Sequence, residues 1–139
     1  MNKIKFLFYI ILSIFFNQNT FSYENTIIYK VNNEIITSYD IKKEVKYLIS
    51  LNTNLKSLEK NEILRLAHQS IIKEKIKFIE LKKYYSLEDE SNDKLTSQVT
   101  SDLYKSLGFK SEKDFISYLS IQNIQIDWVK DKLKIESLW

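Results

Sequence analysis

The sequence predicts a mainly α fold, a helical bundle of about five helices with a small N-terminal β-hairpin. Proline is absent and Gly108 is the only glycine among 139 residues. A chain so composed lacks the fixed-φ corners and positive-φ positions that a sandwich of many tight turns requires. Hydrophobic residues make up 44% and charged residues 28%, a globular balance rather than a disordered one, and the length suits one domain. Apolar residues recur at helical spacing through most of the chain, and short polar breaks separate the runs.

Residues 1–22 read as a secretory signal peptide. Lys3 and Lys5 form a basic start, residues 6–16 an apolar run, and residues 17–22 a polar stretch in which Thr20 and Ser22 occupy the −3 and −1 positions of a cut after Ser22. The apolar run is well short of the ~20 residues that a membrane-crossing helix needs, so cleavage is expected rather than anchoring, with no stable membrane span afterwards. The expected localisation is the periplasm, with residues 23–139 as the domain that works there. The net charge of +3 falls to +1 once Lys3 and Lys5 leave, and Arg65 is the only arginine. That field is too weak to favour a nucleic-acid partner. The chain has no cysteine, which excludes a disulfide framework and thiolate metal sites.

In the mature chain, the β-branched run Thr26-Ile27-Ile28-Tyr29-Lys30-Val31, then Asn32-Asn33, then Glu34-Ile35-Ile36 reads as a hairpin with an asparagine turn. Thr37 with Asp40 resembles a capping box and opens a first helix with a stripe of Ile41, Val45, Leu48 and Ile49. Lys42, Lys43, Glu44 and Lys46 are expected mostly on its wet side. The second and longest helix is predicted over residues 58–84. Ile63, Leu66, Ala67, Ser70, Ile71, Glu74, Phe78 and Leu81 track one side, and the apolar face is wide enough to imply neighbours on several sides. Residues 86–92 are a polar, acidic connection. A third helix at residues 92–107 carries Leu95, Val99 and Leu103 and stops at Gly108. Ser111 with Asp114 caps a fourth, which bears Phe115, Ile116 and Leu119. Asp127 is the expected cap of a fifth, with Trp128, Val129, Leu133, Ile135, Leu138 and Trp139. This last helix lacks a stop signal, which leads us to expect the front piece of a longer ancestral protein.

The segment Ile28-Tyr29-Lys30-Val31-Asn32-Asn33-Glu34-Ile35-Ile36-Thr37-Ser38-Tyr39-Asp40-Ile41 resembles the opening of mature SurA-type periplasmic chaperones, which runs from a short strand through "V-N-x-E-x-I-T-x-x-D-I" into a helix. Residues 67–76 look like that family's "L-I-x-E-K-L" helix, and residues 115–119 are similar to its "F-x-x-x-L" helix. Residues 128–133 are placed like the last helix of its N-terminal domain. The resemblance covers most of residues 26–139, and its first motif is the specific one. It implies a helical domain with a small hairpin that holds unfolded outer-membrane proteins in the periplasm of a Gram-negative cell. The family continues into parvulin-type prolyl isomerase domains and a C-terminal helix and strand, which this sequence lacks. An apolar groove beside the second helix is the expected consequence.

No catalytic constellation stands out. His68 is the only histidine, and an ordinary helix position describes it better than a general base or a pH switch. Glu88-Asp89-Glu90 with Asp93 lacks the glycine and oxygen spacing of a calcium loop and reads as a solvated linker. No nucleophile elbow and no glycine-rich phosphate loop occur. Binding remains, with no cofactor. Tyr84, Tyr85, Tyr104, Phe109, Tyr118, Trp128 and Trp139 are the candidate peptide-binding aromatics, although core is the commoner fate of aromatics at helical spacing. The leading expectation is therefore a non-catalytic chaperone domain for unfolded polypeptides, outer-membrane β-barrel precursors among them. The alternatives are the front of a parvulin-type isomerase and a small secreted structural protein.

Overall fold

The structure, a computed structural model, describes residues 25–86 and 91–139, with side chains resuming at Asp93. The leader and most of the acidic connection lie outside the described residues. Strands β1 (Ile27–Val31) and β2 (Glu34–Thr37) are followed by helix α1 (Ser38–Leu51), a 3-10 turn (Thr53–Ser57), α2 (Lys60–Leu81), α3 (Ser91–Ser106), α4 (Glu112–Ile121) and α5 (Ile126–Leu138). Among the described residues the fold is mainly helical, with five helices and a two-stranded antiparallel hairpin.

Each boundary has a local cause. Asn32 takes φ 54° in the hairpin turn, a left-handed value that asparagine tolerates. Lys30 pairs with Ile35 and Tyr29 with Ile36, and an irregularity between Ile27 and Tyr29 shifts the register. Thr37 and Asp40 form a reciprocal capping box, in which the Thr37 backbone N–H donates to Asp40 Oδ2 at 2.8 Å and the Asp40 N–H donates to Thr37 Oγ1 at 3.3 Å. Ser111 caps α4 by accepting from the Asp114 N–H at 3.2 Å. Helices α3 and α4 end alike. Gly108 at φ 85° and Asn123 at φ 57° reverse the chain, and the next residues, Phe109 and Ile124, donate back to Tyr104 and Leu119 at 2.9 and 3.0 Å. Both ends thus have the Schellman pattern, with an apolar residue folded back over the last turn.

Three expectations need correction. Helix α2 is shorter than residues 58–84, because the 3-10 turn takes up residues 53–57 and a turn beginning at Lys82 ends the helix after Leu81. Asp127 does not cap α5: Gln125 holds that position without a side-chain bond, and Asp127 sits in the first turn. In α3 the buried positions are Thr96 and Thr100, while Leu95 is exposed. The buried arc is centred one residue on from Leu95 and Val99, or roughly 100° round the helix, while Leu103 packs against the α1–α4–α5 core. Thr100 can be buried there because its hydroxyl donates to the Thr96 carbonyl at 2.7 Å.

Two apolar clusters form the core. Ile36 of β2, Ile41 of α1, and Ala67 and Ile71 of α2 make one. Tyr47 of α1, Phe115 and Leu119 of α4, Ile124, and Val129 of α5 make the other. Leu48 of α1 packs against both, so α1 joins the two. As its wide apolar face implies, α2 touches several neighbours: α1, α5 and both strands.

Candidate functional site

Two features stand out: an ionic cluster buried between helices, and a set of exposed apolar side chains.

The cluster lies where α1, α2 and α5 meet. Lys132 Nζ of α5 donates to Glu44 Oε2 of α1 at 2.7 Å and also to Glu74 Oε2 of α2. Ser70 of α2 donates its hydroxyl to the other Glu44 oxygen at 2.6 Å. Glu44 is fully buried, and the Lys132 and Glu74 side chains are 7% and 15% exposed. The Lys132 ammonium also lies 4.8 Å from the Trp128 ring centroid and 5.0 Å from that of Tyr47. Lys43 approaches Trp128 to 4.2 Å, so the indole is flanked by two cations, an arrangement its ring quadrupole favours. Burial pushes the Glu74 carboxyl above its ordinary value; Lys132 opposes the shift and Glu44 adds to it. Burial first, then the Glu44 charge, also raise the Tyr47 phenol, which stays protonated. Desolvation lowers the Lys43 ammonium.

Glu44 therefore does not lie on the wet side of α1. That helix faces both α2 and α5, so its buried arc extends from Ile41 through Glu44 to Tyr47 and Ser50. The signal available in the sequence was position: Glu44 lies three residues from both Ile41 and Tyr47, on the helix face they share. Lys132 carried no comparable signal, because solvated lysines of the same spacing are common.

Beside the cluster, a cleft of about 190 Å³ between α2 and α5 is lined by Glu74, Lys75, Phe78, Trp128, Asp131, Lys132 and Ile135. It is a mixed charged and aromatic cleft.

The candidate aromatics divide into two groups. Tyr104, Phe109, Tyr118 and Trp128 pack against the α1–α4–α5 core. Phe109 lies 5.5 Å from Phe115 and 5.1 Å from Tyr118 between ring centroids, and the Tyr118 hydroxyl donates to the Ser50 carbonyl at 2.9 Å. These four have structural work that keeps them half-buried. Tyr84, Tyr85 and Trp139 are exposed. Glu74 meets Lys132, and Lys77 meets Glu136 at 2.5 Å. Residue numbers rise together along α2 and α5, so the two helices run parallel there and bring Tyr84, Tyr85 and Trp139 to one end of the molecule.

Sequence reasoning missed a second apolar surface, on the hairpin. Ile27, Ile28, Tyr29 and Ile35 are all exposed. Ile35 lies on the face away from the fully buried Ile36, whereas Tyr29, the cross-strand partner of Ile36, shares its face. The sheet has two strands only, and no third strand pairs with either among the described residues. Tyr29 is anchored at its tip, its hydroxyl 2.9 Å from His68 Nδ1, with the two rings edge to face at 5.3 Å. His68 thus takes a structural contact. Among the described residues no group of His, Cys, Asp and Glu could hold a metal ion, and no helix is long and apolar enough to cross a membrane. Asp93 pairs with Lys134 at 3.2 Å.

No family model, no curated protein and no solved structure matches the chain.

Proposed function

We propose that the chain is an exported, non-catalytic binding domain that holds unfolded polypeptide, with outer-membrane β-barrel precursors as clients. The observation that carries this reading is the hairpin: four exposed apolar side chains on a two-stranded sheet with no third strand on either edge among the described residues. An extended client can add to a sheet edge through backbone hydrogen bonds, which do not depend on its sequence, while the exposed isoleucines cover its apolar side chains. Tyr84, Tyr85 and Trp139 offer a second, aromatic contact. Binding of this kind draws on reversible burial of apolar surface and needs neither cofactor nor nucleotide. The likeness of residues 28–41 to SurA-type chaperones falls on this same hairpin and the start of α1, and supports the reading.

The test is dilution of a urea-unfolded outer-membrane β-barrel into buffer with and without excess purified domain, followed by light scattering. The domain should suppress aggregation, and an Ile27→Ser/Ile35→Ser variant should need about tenfold more protein for the same effect. Unchanged scattering with excess wild-type domain would sink the proposal.

A further inference from the structure

The buried cluster holds two carboxylates around one ammonium. With both acids ionised, Glu44, Lys132 and Glu74 carry a net charge of −1 in a place where charge is costly. One proton removes that excess. We propose that Glu44, Lys132 and Glu74 form a proton-controlled latch that holds α5 against α1 and α2, tighter when a proton joins the cluster and looser when both carboxylates are charged.

The geometry identifies the acid that takes the proton. Glu44 is fully buried and accepts from both Ser70 and Lys132, so both of its oxygens have a donor. Glu74 has Lys132 as a donor and lines the α2–α5 cleft, which gives solvent a route to its carboxyl. Other cations offset the excess only in part: Lys75 favours the charged form of Glu74, yet burial outweighs it. From α1, Lys43 is attracted to Glu74 but lies 4.2 Å from the Trp128 ring centroid, and its own pKa is lowered by desolvation. Tyr47 stays neutral. From α2 itself, Lys75 is paired with Glu34 of β2 at 3.0 Å and Lys77 with Glu136 of α5 at 2.5 Å. From α5, Asp131 adds a further negative charge to the cleft wall.

The raised Glu74 carboxyl fixes the sign. Below the ordinary value of 4.5 the unfolded chain carries this proton too, and the contribution is complete. Between that value and the higher folded one, only the folded protein holds the proton. Stability from this group is then lost as pH rises through the window. The latch is mechanical because its three residues come from three helices, with Lys132 lying 88 and 58 positions from Glu44 and Glu74. Loosening the cluster therefore frees α5 rather than a local loop.

The experiment compares urea unfolding of the full chain and its Glu74→Gln variant between about pH 5 and about pH 8. Glutamine keeps an oxygen for Lys132 and imitates the protonated acid. Relative to the variant, the wild-type folding constant should rise by up to about tenfold per pH unit on acidification, the slope of one proton. At neutral pH the variant should be at least as stable as wild type. Parallel stability curves for the two proteins would overturn the proposal. Should the variant fail to fold, carbon NMR titration of the wild-type Glu74 carboxyl decides: a midpoint above 4.5 supports the latch, and one at or below it overturns it. Amide exchange in wild type separates a latch from a uniform effect. Protection in α5 should increase on acidification more than in α4, and equal changes would refute the mechanical part.

Discussion

Lys132 has exchanged water for two carboxylates and two aromatic faces, and it is the only cation in hydrogen-bond contact with either buried acid of the cluster among the described residues. Removing such a group costs far more than its net contribution, because the acids remain buried without a counter-charge. Lys132→Met should therefore destabilise the domain by about 3–5 kcal/mol, and adding Glu44→Gln to it should recover part of the loss. Urea unfolding of the single and double variants measures both. Equal stability of Lys132→Met and wild type would mean that water reaches the cluster freely. Surface pairs differ in kind: Lys83 with Glu80 at 2.6 Å is exposed on both sides, and such a pair contributes little.

At the scale of the element, side-chain caps place the starts of α1 and α4, whereas α2 and α5 begin without one. The Thr37–Asp40 box fixes the point at which β2 becomes α1, with no loop residue between them. That junction sets the rotation of α1, and with it which residues face α2 and α5. Thr37→Ala removes the hydroxyl that accepts from the Asp40 N–H and should lower stability by about 1 kcal/mol. The proper comparison is Ser57→Ala, whose hydroxyl serves only the exposed Asn54 carbonyl at 2.7 Å; thermal melts should show a clear loss for Thr37→Ala and little change for Ser57→Ala. These local signals were legible in the sequence because a cap or a left-handed stop is a property of four or five consecutive residues. Thr37, Ser111, Gly108 and Asn32 all carried them. The rotation of α3 was not legible: Leu95, Val99 and Leu103 make an apolar stripe, yet Thr96 and Thr100 are buried. Which arc of a helix is covered depends on where its partner lies.

For the molecule as a whole, two modest cores share α1, through Leu48 between the clusters and through Glu44 in the ionic junction. Domains of this size have a stability of about 5–15 kcal/mol in total. Phe115→Ala in one cluster should cost about 3–5 kcal/mol, and Ile71→Ala in the other about 2–5 kcal/mol. Because α1 belongs to both, each variant should lower a single cooperative transition followed by near- and far-ultraviolet circular dichroism alike. Two separated transitions in either variant would show that the hairpin–α1–α2 part and the α4–α5 part unfold independently.

The sequence by itself determined the class of fold, the existence and order of the helices, the hairpin and its asparagine turn, and most of the helix ends. All of these follow from periodicity and from short-range hydrogen bonding within a few residues. Only the tertiary structure decided which aromatics are covered, leaving Tyr84, Tyr85 and Trp139 exposed while Tyr104, Phe109, Tyr118 and Trp128 pack inward. It also decided that Glu44, Glu74 and Lys132 share one buried site. Those three residues lie far apart along the chain, and a charged side chain at a given helical position looks the same in sequence whether water or another helix stands opposite it. Burial is a property of the neighbour, and here the neighbours are set by how three helices cross.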